Sequence, residues 1–200
     1  MSTLNCHKKN DSGSPPVWTA GVNEHLYHQC ARTGQYLSSS MLREFRECPA
    51  QYHAIVNGAA QPRETDVMRL GKASHKLILE GMNAYRQAFT IGGPVNECTG
   101  KYYTAASKAF DRWVAENGLE RRVVITPDEH EKLLKMREAA LRHREIALLL
   151  ADGWAERSAR AGLDGMPCQI RLDWLRADNT AVDLKTVADL TPVSYTHLPL

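Results

Sequence analysis

Residues 167–187 read PCQIRLDWLRADNTAVDLKTV, and this stretch decides the fold. Two runs of alternating apolar and polar residues flank the polar break at 177–180, a pattern typical of two strands joined by a turn. Because side chains alternate between the two faces of a strand, each run separates into an apolar and a polar set. We expect the apolar set to face the core: Ile170, Leu172, Trp174, Val182 and Leu184. The polar set then lies on the opposite, solvent-facing side: Arg171, Asp173, Asp183 and Lys185.

The length of the connecting loop follows from this alternation. Asp173 and Asp183 share a face only if the loop has an odd number of residues or the pair contains a bulge. A two-residue turn at Asp178-Asn179 would place Asp173 opposite Leu184 instead. The pattern therefore predicts a three-residue loop over 177–179.

Helical patterns precede these strands along the chain. After the capping serines at 38–40 we expect a helix that Pro49 either kinks or divides into two pieces, and a second helix over Met68–Glu80 ending at Gly81. Further helices are expected at 101–117, from the Thr126-Pro127-Asp128-Glu129 start to about Arg144, and over Ile146–Ala151. Strands are expected at 123–125, 154–160, 167–176 and 181–187. Helices followed by a strand meander predict a mixed α/β (α+β) domain.

Composition narrows the class of protein. The 200 residues include 25 Lys and Arg against 23 Asp and Glu, a net charge of +2, which excludes a histone-like basic protein. Apolar residues make up 43%, enough for a core. The longest apolar run, Ile146–Ala151, is far below the roughly 20 residues of a membrane span. Five scattered cysteines without a Cys-x-x-Cys pair argue against a disulfide framework, and we expect a cytoplasmic protein without a secretory signal.

The polar face of the strand pair has the composition of a metal site. Two carboxylates at close range repel unless a cation lies between them, and hard oxygen ligands suit Mg²⁺. A metal there can polarise a phosphodiester, and the neighbouring Lys185 can orient the attacking water. The alternative for Asp183 and Lys185 is a solvated strand face with a loose ion pair.

Four separate stretches now resemble the PD-(D/E)XK nuclease superfamily, and most closely its exodeoxyribonuclease VIII type. In chain order they are LSSSMLREFRECPAQYH at 37–53, RLGKASHKLILEG at 69–81, AERSARAGLDGMPCQIRLDWL at 155–175 and VDLKT at 182–186. The resemblance spans about residues 21–192. It implies a restriction-endonuclease-like fold, a mixed sheet flanked by helices.

The resemblance also implies roles for individual residues. Asp173 and Asp183 match metal-binding carboxylates, Lys185 the catalytic lysine, and His75 the histidine of a Gly-x-x-x-His helix. The backbone carbonyl of Leu184 is another expected ligand. Glu156 and Arg171 match supporting positions. Alternatives stay open for three of these residues: His75 as a core histidine, Glu156 as a partner of Arg157 or Arg171, and Arg171 as a phosphate contact or a balance to Asp173.

The activity implied by the resemblance is degradation of linear double-stranded DNA, 5′ to 3′, with Mg²⁺ or alternatively Mn²⁺, in phage-type recombination. A ring-like homo-oligomer and a single-strand annealing protein partner are implied in the same way. The competing hypothesis is a catalytically incomplete DNA-binding or assembly module of the same fold. We expect a flexible arm over 1–20, an incomplete nuclease domain over 21–192 and a non-native tail over 193–200 that follows a truncated reading frame.

Overall fold

The fold was examined in a computed structural model, which describes residues 17–19, 22–60, 65–120 and 123–187. The chain divides into two compact units. Unit 1 combines Met1–Arg63 with Gly153–Ala181, and unit 2 combines Glu64–Asp152 with Val182–Leu200. The predicted tail at 193–200 and most of the predicted arm lie outside the described residues, while Val17–Thr19 of that arm form a strand.

Unit 1 consists of a sheet and three helices. Strands β1 (Val17–Thr19), β4 (Gly153–Leu163) and β5 (Met166–Arg176) are antiparallel neighbours. The short β6 (Ala181–Val182) follows β5 in the sheet order β1-β4-β5-β6, where the chain passes into unit 2. The helices are α1 (Glu24–Arg32), α2 (Ser39–Glu47) and α3 (Pro49–Val56).

The break between α2 and α3 confirms the predicted division at Pro49. Ser38 begins α2, since its side chain accepts a hydrogen bond from the Met41 amide. Proline suits the first turn of α3 because its missing N–H would have no partner there. The two helices and α1 enclose a small core in which Ala31, Met41 and Ile55 are buried.

Unit 2 is mostly helical. It contains α4 (Asp66–His75), α5 (Gly81–Ala88), α6 (Lys108–Glu116), α7 (Pro127–Arg142) and α8 (Arg144–Leu149), together with the parallel pair β2 (Thr90–Ile91) and β3 (Val124–Ile125). A π-helical turn, Lys76–Glu80, joins α4 to α5. The predicted capping box at the start of α7 is confirmed, with Thr126 and Glu129 each bonded to the other's backbone amide.

Several predicted boundaries differ from the structure. Gly81 begins α5 rather than ending the previous helix, and the π-helical turn connects α4 to α5. Helix α6 begins only at Lys108, because Ser107 caps it and Tyr102 forms a β-bridge with Val95. The strand expected at 181–187 is confined to Ala181–Val182.

The expected burial of the apolar face of β5 is wrong at Ile170. Gln169 and Leu175 are buried, and Arg171 and Asp173 lie between them on the same face, whereas Ile170 is 47% exposed. Leu172 and Trp174, on the face of Ile170, are half-buried like Arg171 and Asp173, so both faces of β5 are partly covered. Helix α1 lies against the face of Gln169, where the Gln169 side-chain amide donates to the Tyr27 carbonyl at 2.8 Å.

Within the described ranges, no helix is both long enough and apolar enough to cross a membrane.

Candidate functional site

The β4–β5 hairpin of unit 1 places Glu156 and Asp173 opposite each other. Ala155 pairs with Trp174 and Arg157 with Leu172, so the residues between these pairs face each other across the two strands. Carboxylate oxygens of Glu156 and Asp173 lie within 4.8 Å of each other. Two full charges at that distance repel by about 3 kcal/mol at an effective dielectric constant near 20. The pair therefore needs compensating positive charge.

Arg171 supplies a positive charge beside Glu156. Its Nε donates to Glu156 Oε2 at 2.5 Å, and its Nη1 donates to the Val22 carbonyl at 2.8 Å and to Ser158 Oγ at 3.3 Å. The guanidinium also lies 5.9 Å from the centre of the Tyr27 ring. Of the open alternatives, the structure thus pairs Glu156 with Arg171.

The Tyr27 phenol is an uncharged neighbour of this group. Burial raises the pKa of Tyr27, and the positive charge of Arg171 only partly opposes that effect. The phenol is therefore protonated throughout the neutral range, and it adds no negative charge beside the two carboxylates.

Glu156 has an unusual backbone. Its φ angle is 55°, in the left-handed region that non-glycine residues avoid at a cost of about 1–2 kcal/mol. The pairing register is the same on both sides of it, so no residue has been inserted as in a β-bulge. Sequence reasoning missed this feature, since glutamate carries no preference for that conformation.

The loop after β5 has the predicted odd length. The Arg176 amide donates to the Thr180 carbonyl at 2.9 Å, and Asn179 donates back to the Arg176 carbonyl at 3.0 Å. Residues 177–179 therefore form a three-residue loop, with Asn179 in the left-handed conformation at φ 66°. The Asp178 carboxylate accepts from the Thr180 amide, and this bond is the main reason that the pKa of Asp178 is lowered.

Unit 2 carries the other predicted site residues. Lys185 Nζ contacts Asp183 Oδ1 at 2.9 Å, and these side chains are 62% and 63% exposed. They lie on the same side of an extended segment, with Leu184 between them half-buried. An exposed pair of this kind contributes little to stability.

His75 is the last residue of α4 in unit 2, immediately before the π-helical turn. It is half-buried, whereas Ala73 and Leu77 beside it are fully buried in the core. The role of His75, as a metal ligand or as a core histidine, stays a prediction. π-Helical turns are rare and often occur at functional sites.

Within each unit, the structure thus brings some predicted residues together. Glu156, Asp173 and Arg171 form one group in unit 1. Asp183, Leu184 and Lys185 form a second group in unit 2, where His75 also lies. Hard carboxylate oxygens in both groups suit Mg²⁺ or Mn²⁺, and the full ligand set stays a prediction.

Comparison with known proteins gives one result. No curated protein matches the chain, and no solved structure does. The model of one family matches residues 38–198, most of the chain, and its description is a PDDEXK-like domain of unknown function. The matched span includes the paired carboxylates on β4 and β5 and the Asp-Leu-Lys segment, and the mixed α/β architecture is that of a restriction-endonuclease-like fold. The chain therefore belongs to the DUF3799 family of PDDEXK-like domains.

Proposed function

We propose that the chain is a metal-dependent exodeoxyribonuclease that hydrolyses the phosphodiester bonds of linear double-stranded DNA. The observation that carries the proposal is the Glu156–Asp173 carboxylate pair, fixed across two paired strands in a domain of the PDDEXK-like class. Arg171 offsets the charge of Glu156, and two carboxylates this close also suit a bound divalent cation. DNA is the substrate expected of a nuclease-type domain.

Metal-binding roles for individual residues are proposed from the family resemblance. Asp173, Asp183, the Leu184 carbonyl and His75 match metal-binding positions of that family. A divalent cation bound by these residues would polarise the phosphodiester and lower the pKa of a bound water.

Lys185 has the exposure expected of a catalytic lysine, with 62% of its side chain accessible. Its ammonium group is held by Asp183 at the surface and carries three donors that can reorient. We propose that it orients the attacking water and offsets negative charge at the phosphate. Glu156 and Arg171 support Asp173 from the adjacent strand.

The test is digestion of linear duplex DNA by the folded full chain, with Mg²⁺, with Mn²⁺ and with EDTA. Lys185→Ala should abolish metal-dependent digestion. Lys135→Ala is the matched control, since Lys135 is also exposed and paired with a carboxylate, at 2.6 Å from Glu131. Digestion that persists in EDTA, or that Lys185→Ala leaves at the level of Lys135→Ala, would contradict the proposal.

The exposed Asp183–Lys185 pair also favours the second hypothesis, a DNA-binding or assembly module without turnover. Such a module would retard linear DNA in a gel but leave it intact in Mg²⁺. Retardation that is the same for Lys185→Ala and for the parent, without digestion by either, would support that hypothesis.

The finer features remain proposals from the family resemblance. Degradation from 5′ ends is tested with duplexes labelled at either end, and dependence on an end is tested with circular DNA. A ring-like oligomer is tested by native mass spectrometry, and an annealing-protein partner by co-purification from the source. A role in phage-type recombination and a cytoplasmic location complete the proposal.

A further inference from the structure

Arg171 is anchored independently of the carboxylate that it contacts. Nη1 is held by the Val22 carbonyl and by Ser158 Oγ, and Ser158 itself is buried. The guanidinium also faces the Tyr27 ring of α1. A guanidinium fixed at one end in this way presents its Nε in a set direction, and Glu156 lies in that direction.

Glu156 needs such a partner because its backbone is in a disfavoured conformation. Strained residues persist when the surrounding structure over-determines them. The hydrogen bond to Arg171 and the regular pairing of Ala155 and Arg157 on either side hold Glu156 in this conformation. The result is a carboxylate held close to Asp173 in spite of their mutual repulsion.

The surroundings of Arg171 argue against a direct contact with a DNA phosphate. Its side chain is 14% exposed, and Nε and Nη1 are engaged with three protein oxygens. A phosphate-binding arginine presents its donors to solvent in the free protein. Arg171 presents Nε and Nη1 to unit 1.

We propose that Arg171 is a positioning residue for divalent-cation binding, which holds the Glu156 carboxylate beside Asp173 so that both contribute to the metal site. The inference rests on the proposed function, since it assumes that Asp173 binds the metal. In this role Arg171 fixes the position of the Glu156 carboxylate. A role in charge balance alone would predict the opposite effect of mutation on metal binding.

The sign of the change in Mn²⁺ affinity separates the two roles. If Arg171 only balances charge, Arg171→Ala removes a repelling cation, and Mn²⁺ should bind more tightly. If Arg171 positions Glu156, Arg171→Ala should weaken Mn²⁺ binding by about 10-fold or more, as loss of an orienting partner does at other metal sites. Arg171→Lys keeps the charge but cannot reproduce the three bonds, so it should also weaken binding.

The experiment is titration of the full chain with Mn²⁺, followed by the electron paramagnetic resonance signal of the free ion. Variants Arg171→Ala, Arg171→Lys, Glu156→Gln and Asp173→Asn are compared after circular dichroism has shown that they are folded. Arg160→Lys is the matched control, because Arg160 also lies on the hairpin and packs on an aromatic ring, that of Tyr36 at 4.1 Å. If Arg171→Ala does not fold, Ser158→Ala removes one anchor and should weaken Mn²⁺ binding in the same direction.

A double variant gives the strictest test. Because Arg171 acts through Glu156, Arg171→Ala combined with Glu156→Gln should bind Mn²⁺ within about twofold of Glu156→Gln alone. Tighter or unchanged binding by Arg171→Ala, with binding still abolished by Asp173→Asn, overturns the positioning role and leaves the proposed function intact. No binding by the parent, or full binding by Asp173→Asn, overturns both.

Discussion

Replacing Glu156 by glycine and, separately, by alanine tests the left-handed backbone at this position. Glycine in a strand is normally less stable than alanine by roughly 0.5–1 kcal/mol, because it loses more conformational freedom on folding. At φ 55° the order should reverse, since alanine pays a left-handed penalty of about 1–2 kcal/mol that glycine avoids. We therefore expect Glu156→Gly to be more stable than Glu156→Ala by about 1 kcal/mol.

The comparison isolates the backbone because the other consequences cancel. Both variants lose the charge-assisted hydrogen bond to Arg171, which contributes about 1.5–3 kcal/mol, and both remove the repulsion with Asp173. Ala155→Gly is the control, since Ala155 neighbours Glu156 in β4, has no left-handed φ angle and pairs regularly with Trp174. It should show the ordinary loss of stability.

The assay is urea unfolding monitored by the fluorescence of Trp154 and Trp174, which lie in the same hairpin. A difference of about 1 kcal/mol corresponds to roughly 2–4 °C in melting temperature for a chain of this size. The reasoning is refuted if Glu156→Ala is as stable as Glu156→Gly or more stable. It is also refuted if Glu156→Gly is less stable than Glu156→Ala by as much as Ala155→Gly is less stable than the parent.

Three further predictions concern stability and ionisation. Arg69→Met should lower the free energy of unfolding, measured with urea, by about 3–5 kcal/mol, because the Glu129 carboxylate that Arg69 contacts at 2.6 Å loses this partner. Arg142→Met, at an exposed ion pair, should lower it by less than about 1 kcal/mol. Asp178→Ala should lower thermal stability at neutral pH. The stabilisation by the Asp178 carboxylate is complete above pH 3.8 and is lost as the pH falls through its lowered pKa in the folded protein. The difference between the variant and the parent should disappear over the same range. Burial, aided by the charge of Glu129, raises the pKa of Tyr85 to about 12, so ultraviolet titration of the parent against Tyr85→Phe should show a late-ionising phenol. Its contribution to stability should be complete below pH 10.0 and lost as the pH approaches 12.

The helix starts could be predicted because their causes are local. The capping box of Thr126 and Glu129, the Ser38 cap and the division at Pro49 each depend on residues within one turn. The parity of the loop at 177–179 could be predicted for a similar reason. It follows from the alternation of the flanking strands, which needs no knowledge of the rest of the fold.

The face of β5 that α1 covers could not be predicted from the strand itself. Alternation groups Gln169 with Arg171 and Asp173, but it does not say which of the two faces another element will cover. Apolarity favoured the face of Ile170. The structure covers the other face with α1, since Gln169 finds a buried partner in the Tyr27 carbonyl and its burial then costs little. A prediction would have required the long-range pairing between residues 27 and 169.

The places where local rules fail are the places where the family resemblance had assigned function. Glu156 adopts a conformation that its residue type disfavours, and His75 is followed by a π-helical turn rather than a regular helix. Sequences are locally consistent with their folds except where function imposes a cost. For Glu156 the structure also contains the compensation, an arginine fixed by a carbonyl, a buried hydroxyl and an aromatic ring. A strand that needed only to be stable would carry glycine or a β-former at this position. The retained glutamate and its anchored arginine are best explained by a requirement for negative charge beside Asp173, which a divalent cation would satisfy.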